Sequence, residues 1–229
     1  MCHTGPYGRS FERSAQKNAP PQGVTTERRA ALPPRGSIQG PACRVMVTVH
    51  SQGMYLRGER IYLRRPMMAD ARYVFNWERD DEVWRYDPHR PFSKNFADFL
   101  PLFERNYVRG NGRQYWFIIE DEQHTPIGTI TYFNVDYRLR QAEVGLGLGD
   151  KTRWGQGYGP EAIRTLVRYL FSSASLVRIY AETAVANRPA RRAFAKANFV
   201  EVGQIYDPRS SGEPWIELEI WKNRSFAEP

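Results

Sequence analysis

The chain has 229 residues, 41% of them hydrophobic and 14% aromatic, with a formal net charge of +8. That is enough apolar material for one substantial core, and the absence of any run of about 18 apolar residues excludes a membrane-spanning helix. The charge points toward nucleic acid or phosphate ligands, but residues 1–52 carry six Arg and one Lys against Glu12 and Glu27, so most of the basicity lies there.

Residues 1–52 are rich in Gly, Pro, Ser, Gln and Arg (APPQG, LPPRGSIQG) and show no helical or strand periodicity, the signature of a disordered tail. They lack the continuous apolar stretch of a secretory signal. Met46 and Met54 both precede the first patterned segment, so a start downstream of Met1 is an open reading. Both cysteines, Cys2 and Cys43, lie in this tail, which leaves residues 53–229 without a thiolate nucleophile, disulfide or cysteine metal site. His3, His50, His89 and His124 show no ligand spacing, and no metal is expected. The cysteine usage fits a reducing cytoplasm.

From Met54 the pattern becomes regular. ERIYLRR (Glu59–Arg65) alternates as a strand with Ile61 and Leu63 on one face. Pro66 opens a short helix to about Trp77, with Tyr73, Val74 and Trp77 on one side. DPHRPFS reads as a turn. Asn95–Arg109 reads as a helix bearing Phe96, Phe99, Leu100 and Phe103, kinked or split by Pro101. QYWFIIE and Ile127–Val135 form a hairpin, and QAEVGLGLG is a third strand after the turn YRLR. The helix after RWGQGYGPEA carries Ile163, Leu166, Val167, Leu170 and Phe171 on one face. Strand VRIYAETAV, helix RPARRAFAKA, and strands FVEVGQIY and WIELEIW complete the order. It predicts an α/β chain (an α+β mixed sheet): six to seven strands in a central sheet flanked by about four helices, within a domain spanning 53–229. The unit from Gln141 to Val185 predicts parallel strands joined by a right-handed crossover.

RWGQGYGPEA places Gly155, Gly157 and Gly159 immediately before that helix. Such a loop turns bare N–H groups toward an anion, here from Gln156, Gly157 and Gly159, with the helix N-terminus behind them and Arg153 alongside. Pro160 suits the first helical turn, and Glu161 reads as an acid capping it. A flexible surface turn is the competing reading. The stretch ends Gly-Pro, which a P-loop does not, and its glycine spacing fails the dinucleotide fingerprint.

WGQGYGPEA resembles the coenzyme A loop of the GCN5-related N-acetyltransferases (GNAT), in the branch of the ribosomal-protein N-terminal acetyltransferases. AEVG at Ala142–Gly145, AETAVANRPARRAFAKANF at Ala181–Phe199, and LRRP with Asp70 and WERDDEV extend the likeness across Glu59–Trp221 in the family's order. The resemblance implies a GNAT-like acyl-CoA N-acyltransferase fold, with acetyl-CoA as co-substrate and direct attack of a primary amine on its thioester. It implies further that Arg153, Gln156, Gly157, Tyr158 and Gly159 hold the cofactor's pyrophosphate. Val144 and Leu146 then border a pantetheine groove between Val144–Leu148 and Ile179–Val185, with an N–H near Leu146 polarising the thioester oxygen. Asn187 contacts the cofactor arm, or is the N-cap of the helix from Arg188. Glu143 is the implied base, with Glu182 in reserve; a strand carboxylate paired with a neighbouring Arg is the alternative.

Ala190 and Phe194 stand where the family carries serine or tyrosine acids. The thiolate then leaves unaided, or Tyr132, Tyr137 or Tyr206 supplies its proton. The same gap admits a non-catalytic acetyl-CoA-binding or sensing module as the alternative to an enzyme. WERDDEVWRYD sets Glu78, Asp80, Asp81, Glu82 and Asp87 among Trp77, Trp84 and Tyr86. This suits a cationic amine such as a protein N-terminus, polyamine or aminosugar, or is a solvated helix end over core aromatics. Arg164, Arg168, Arg191 and Arg192 are candidates for the 3′-phosphate, or are simply solvated. A monomer or homodimer with no membrane or specific nucleic-acid partner completes the expectation.

Overall fold

The computed structural model describes residues 47–50, 53–86, 93, 95–205 and 214–224. Nine strands form among them: β1 (Val47–His50), β2 (Gly53–Arg57), β3 (Tyr62–Arg64), β4 (Gln114–Glu120), β5 (Pro126–Asp136), β6 (Gln141–Leu148), β7 (Arg178–Ala184), β8 (Val200–Ile205) and β9 (Trp215–Trp221). They form one sheet in the order β1-β2-β3-β4-β5-β6-β7-β9-β8. β6 and β7 pair in parallel, while the other neighbours are antiparallel. Four α-helices accompany the sheet: α1 (Ala71–Glu78), α2 (Phe96–Phe103), α3 (Tyr158–Ser173) and α4 (Arg188–Lys196). The mixed sheet and helix number match expectation, and the strand count exceeds the expected six to seven. β1 and β2 account for the excess. β1 falls inside the stretch expected as featureless tail; its VTVH alternation is short, and it finds a partner only in β2. The rest of that tail (1–46, 51 and 52), the turn from Asp87, and Tyr206 lie outside the described residues.

The sheet separates two apolar clusters. On one face, the α3 stripe Ile163, Leu166, Val167, Leu170 and Phe171 packs with Leu63, Ile119, Ile130, Val144, Ile179 and Leu218. On the other, Ala71, Val74 and Phe75 of α1 meet Phe99 and Phe103 of α2 over Trp116 and Ile118 of β4. Tyr73, expected on the inner side of α1, is 45% exposed. The helix is rolled toward Ala71 and Phe75 because Phe75 meets the α2 rings Phe96 and Phe99, at 5.2 and 5.4 Å. Pro101 lies within α2 without ending it; the irregularity comes later, as a π-helical turn at Glu104–Val108. Arg64 locks β3 to its neighbours through buried hydrogen bonds to both Asp70 oxygens and to Glu120.

Candidate active site

The register of the parallel pair creates the cleft. β6 and β7 are matched only at Gln141↔Arg178, Ala142↔Ile179 and Glu143↔Tyr180. Beyond Glu143, β6 continues against β5 as far as Leu148, and β7 continues against β9 as far as Ala184. The two strands therefore diverge toward their C-terminal ends, where open sheets bind ligands. The opening holds about 480 Å³, within the range of small-molecule sites. Val144 and Leu146 border it, and among the described residues their edge of β6 has no strand partner on the β7 side.

The glycine loop sits across the mouth. Gly155 and Gly157 have φ of +75° and +90°, the left-handed region that glycine enters without steric cost, and Gly157 is the N-cap residue of α3. The first-turn N–H groups of Tyr158 and Gly159 have no carbonyl acceptor within the helix, so they present partial positive charge at the cleft. Gly155, Gly157, Tyr158 and Gly159 line the cleft; Gln156 does not, and its side chain donates to the Thr152 carbonyl instead. A Cβ on Gly159 would approach Leu146 Cδ2 to 3.3 Å, so this glycine also lets α3 sit close on β6. Tyr158 is buried, and that burial, with the Glu122 carboxylate on its hydroxyl at 3.0 Å, pushes its ionisation up.

Two charged residues of the loop are engaged elsewhere. Arg153 lines the cleft, but its Nη2 donates to the fully buried Asp121 at 2.7 Å. Glu161, expected as a helix-capping acid, is buried and accepts the backbone N–H of Arg60 at 2.6 Å. Arg60 reaches back over the Tyr158 ring at 4.9 Å and donates to the Gln156 carbonyl at 3.1 Å. Sequence reading missed Arg60, which lies 96 positions from Gln156 and carries no local signal of the contact.

Glu143 lies at the apex, where the strands part, and is 6% exposed. Its Oε2 accepts from Asn134 Nδ2 at 2.8 Å, whereas Arg178, the arginine on the adjoining strand, is taken by Glu217 and Glu219. Glu182 lines the cleft farther along β7. Asn187 caps α4 by accepting the Ala190 N–H at 3.1 Å, donates to Thr183 Oγ1, and lines the cleft as well. Asn187 is therefore the α4 cap and at the same time borders the cleft.

Ala190 and Phe194 line the cleft and offer no proton. Tyr132 does not line it. It stacks on Tyr115 at 4.6 Å on the α3 side, and burial pushes its ionisation up. Tyr137 is exposed at the β5–β6 turn. Of the helix arginines, Arg192 borders the cleft together with Lys196, which the sequence reading did not single out. Arg191 is tied to Glu201, and Arg164 caps the end of α4 at the Lys196 carbonyl.

A further rim of the cleft comes from the segment after α1. Trp77 packs so tightly on Gly149 that a Cβ there would lie 2.0 Å from the ring. Lys151 Nζ reaches Asp80 and Glu82 at 2.8 and 3.0 Å. Glu82, Trp84 and Tyr86 thereby border the cleft, while Glu78 accepts from the Tyr107 hydroxyl and Asp87 lies outside the described residues. Among the described residues, no group of three or more His, Cys, Asp or Glu could hold a metal ion.

A family model described as acetyltransferase (GNAT) domain matches residues 60–200. The chain is 28% identical over 151 residues to the N-acetyltransferase p20 of Bacillus licheniformis, across 65% of this chain and 84% of that one. It is 24% identical over 148 residues to the spermidine N(1)-acetyltransferase of Vibrio cholerae, across 65% of this chain and 83% of the relative. A Vibrio cholerae spermidine N-acetyltransferase, solved in complex with CoA and spermine, shares the fold at a TM-score of 0.62 and 21% identity, covering 72% of this chain and 98% of that one. With a matched domain spanning more than half of its residues, this chain belongs to the GNAT family and is an N-acetyltransferase.

Proposed function

We propose that the chain transfers an acetyl group from acetyl-CoA to a primary amine, with Glu143 as the base. The observation that carries this reading is the buried carboxylate at the apex of a strand cleft whose mouth is closed by a glycine-led helix N-terminus. In it, acetyl-CoA supplies the acyl group as an activated thioester. The N–H groups of Gly157, Tyr158 and Gly159 hold the pyrophosphate, with Gln156 shaping the loop and Arg153 anchoring it. Arg192 and Lys196 add positive charge at that end. Val144 and Leu146 offer backbone groups to the pantetheine, and Asn187 orients its arm from the α4 cap. An amine of pKa near ~10 is mostly protonated at pH 7, so exposing its lone pair costs about 4 kcal/mol. Glu143 accepts that proton, directly or through a water. The departing thiolate resembles cysteine, pKa ~8.5, and leaves without a donor from Ala190 or Phe194.

The acceptor we favour is a polyamine. Glu82, Glu143 and Glu182 line one cleft with Trp84, Tyr86 and Trp215, a set of carboxylates and ring faces suited to ammonium groups. The spermidine acetyltransferase among the relatives supports the same class. Membership of the ribosomal-protein N-terminal branch would instead favour a peptide N-terminus, and an aminosugar is the third candidate. The reading is of a cytoplasmic monomer or homodimer, with a catalytic domain that takes in β1 and so begins ahead of residue 53. The test is CoA thiol release with spermidine, a peptide bearing a free N-terminus and an aminosugar offered in turn. Turnover with an amine is expected; tight acetyl-CoA binding with no turnover on any of them would instead fit a sensing module.

A further inference from the structure

The Glu143 carboxylate is held by a residue that regular strand alternation would have put on the other side of the sheet. β5 follows its ladder to Phe133, opposite Glu143, and resumes at Asp136, opposite Gln141. Asn134 and Val135 thus share the single partner position of Ala142, which makes a β-bulge. In an unbroken ladder Asn134 would lie on the α3 side with Ala142, because side chains alternate. The bulge turns it over, and its Nδ2 reaches Glu143 Oε2 at 2.8 Å.

The backbone is specialised for this. Asn134 has φ +50°, the left-handed region that asparagine tolerates better than most side chains. The adjoining turn does not need its amide, since Asp136 Oδ1 already accepts the N–H groups of Arg138 and Leu139 at 2.8 and 2.9 Å. Tyr180, opposite Glu143 on β7, also reaches the Asn134 side chain; burial and then the Glu143 charge push its hydroxyl's ionisation up. The carboxylate is therefore flanked from both neighbouring strands.

We propose that Asn134 is a positioning residue for the transfer: its amide fixes one Glu143 oxygen and so sets the direction in which the carboxylate meets the amine. This rests on Glu143 being the base. The bulge exists, in this view, to deliver a neutral hydrogen-bond donor where regular alternation would place none.

The test is a double-mutant cycle of Asn134→Gly, Glu143→Gln and the pair, with Asn134→Asp alongside. Each protein is assayed with acetyl-CoA and the three amines, and its acetyl-CoA Kd and Tm are measured. Glycine accepts φ +50° without strain, so Asn134→Gly should stay folded at the assay temperature with Kd unchanged while kcat falls about 10–100-fold, the effect of a hydrogen bond to a charged group. Asn134→Asp keeps the shape but sets a carboxylate against Glu143, and should lose at least as much. In the Glu143→Gln background Asn134→Gly should cost nothing further, because the residue acts through Glu143. Wild-type kcat in Asn134→Gly or Asn134→Asp, or losses that simply add in the double variant, would overturn the positioning role while leaving Glu143 as base. Wild-type turnover in Glu143→Gln would remove the base assignment, and this proposal with it.

Discussion

At the scale of single residues, the site depends on a few positions where no other side chain serves. Gly157 combines φ +90° with Arg60 Nη2 at 3.1 Å from the place a Cβ would occupy. Gly157→Val should therefore abolish acetyl-CoA binding by calorimetry, since a β-branched residue resists that backbone and crowds the mouth. Retained affinity would mean that the loop is only a surface turn. Asn187 allows its two roles to be separated. Asn187→Asp keeps an oxygen for the Ala190 N–H, so the α4 cap and the Tm should survive. It loses the Nδ2 donor and adds negative charge beside an anionic ligand, so acetyl-CoA affinity should fall several-fold or more. An unchanged Kd would reduce Asn187 to a cap.

At the scale of elements, Gly149 couples α1 to the cleft. Gly149→Ala would drive a methyl into the Trp77 ring and should cost about 1–3 kcal/mol in urea unfolding, as overpacking does. Because Trp77 leads into the rim segment, amine KM should rise while acetyl-CoA affinity holds; an unchanged KM and stability would show that the rim is seated independently. Elements of this kind were legible in the sequence where one period dominates. The α3 stripe from Ile163 to Phe171 reads correctly because five apolar residues recur at helical spacing. α1 read correctly at Val74 and Trp77 but not at Tyr73, since Tyr73–Val74–Trp77 and Ala71–Val74–Phe75 are equally good local stripes and contact with α2 decides between them. Site contacts across long separations were also hidden. Arg60 with Glu161, Arg153 with Asp121, and Asn134 across its bulge depend on strand order and register, which no local pattern encodes. The parallel pair and the glycine loop after it were readable locally, and the family resemblance set the divergence at Val144–Leu148, just past the last paired residue, Glu143.

At the scale of the whole molecule, distant stretches of one chain supply the cleft lining: the segment after α1, β6, the glycine loop, β7 and α4. Among the described residues, both apolar clusters draw on positions from Leu56 onward. Removing residues 1–46 should accordingly leave Tm and acetyl-CoA affinity unchanged, whereas a cut that also takes β1 would strip β2 of its outer partner. A large fall in Tm for the shorter cut would mean that the tail packs on the domain. The measurement that reaches the proposed chemistry most directly is amine acetylation by Glu143→Gln beside wild type, at pH 7 and with pH rising. Wild type should turn over, and the variant should bind acetyl-CoA normally while kcat drops about 10²–10⁴-fold. Part of the loss should return toward the amine's own pKa, where free amine forms without a base. A folded Glu143→Gln protein with wild-type kcat at pH 7 would contradict the assignment of Glu143 as the base.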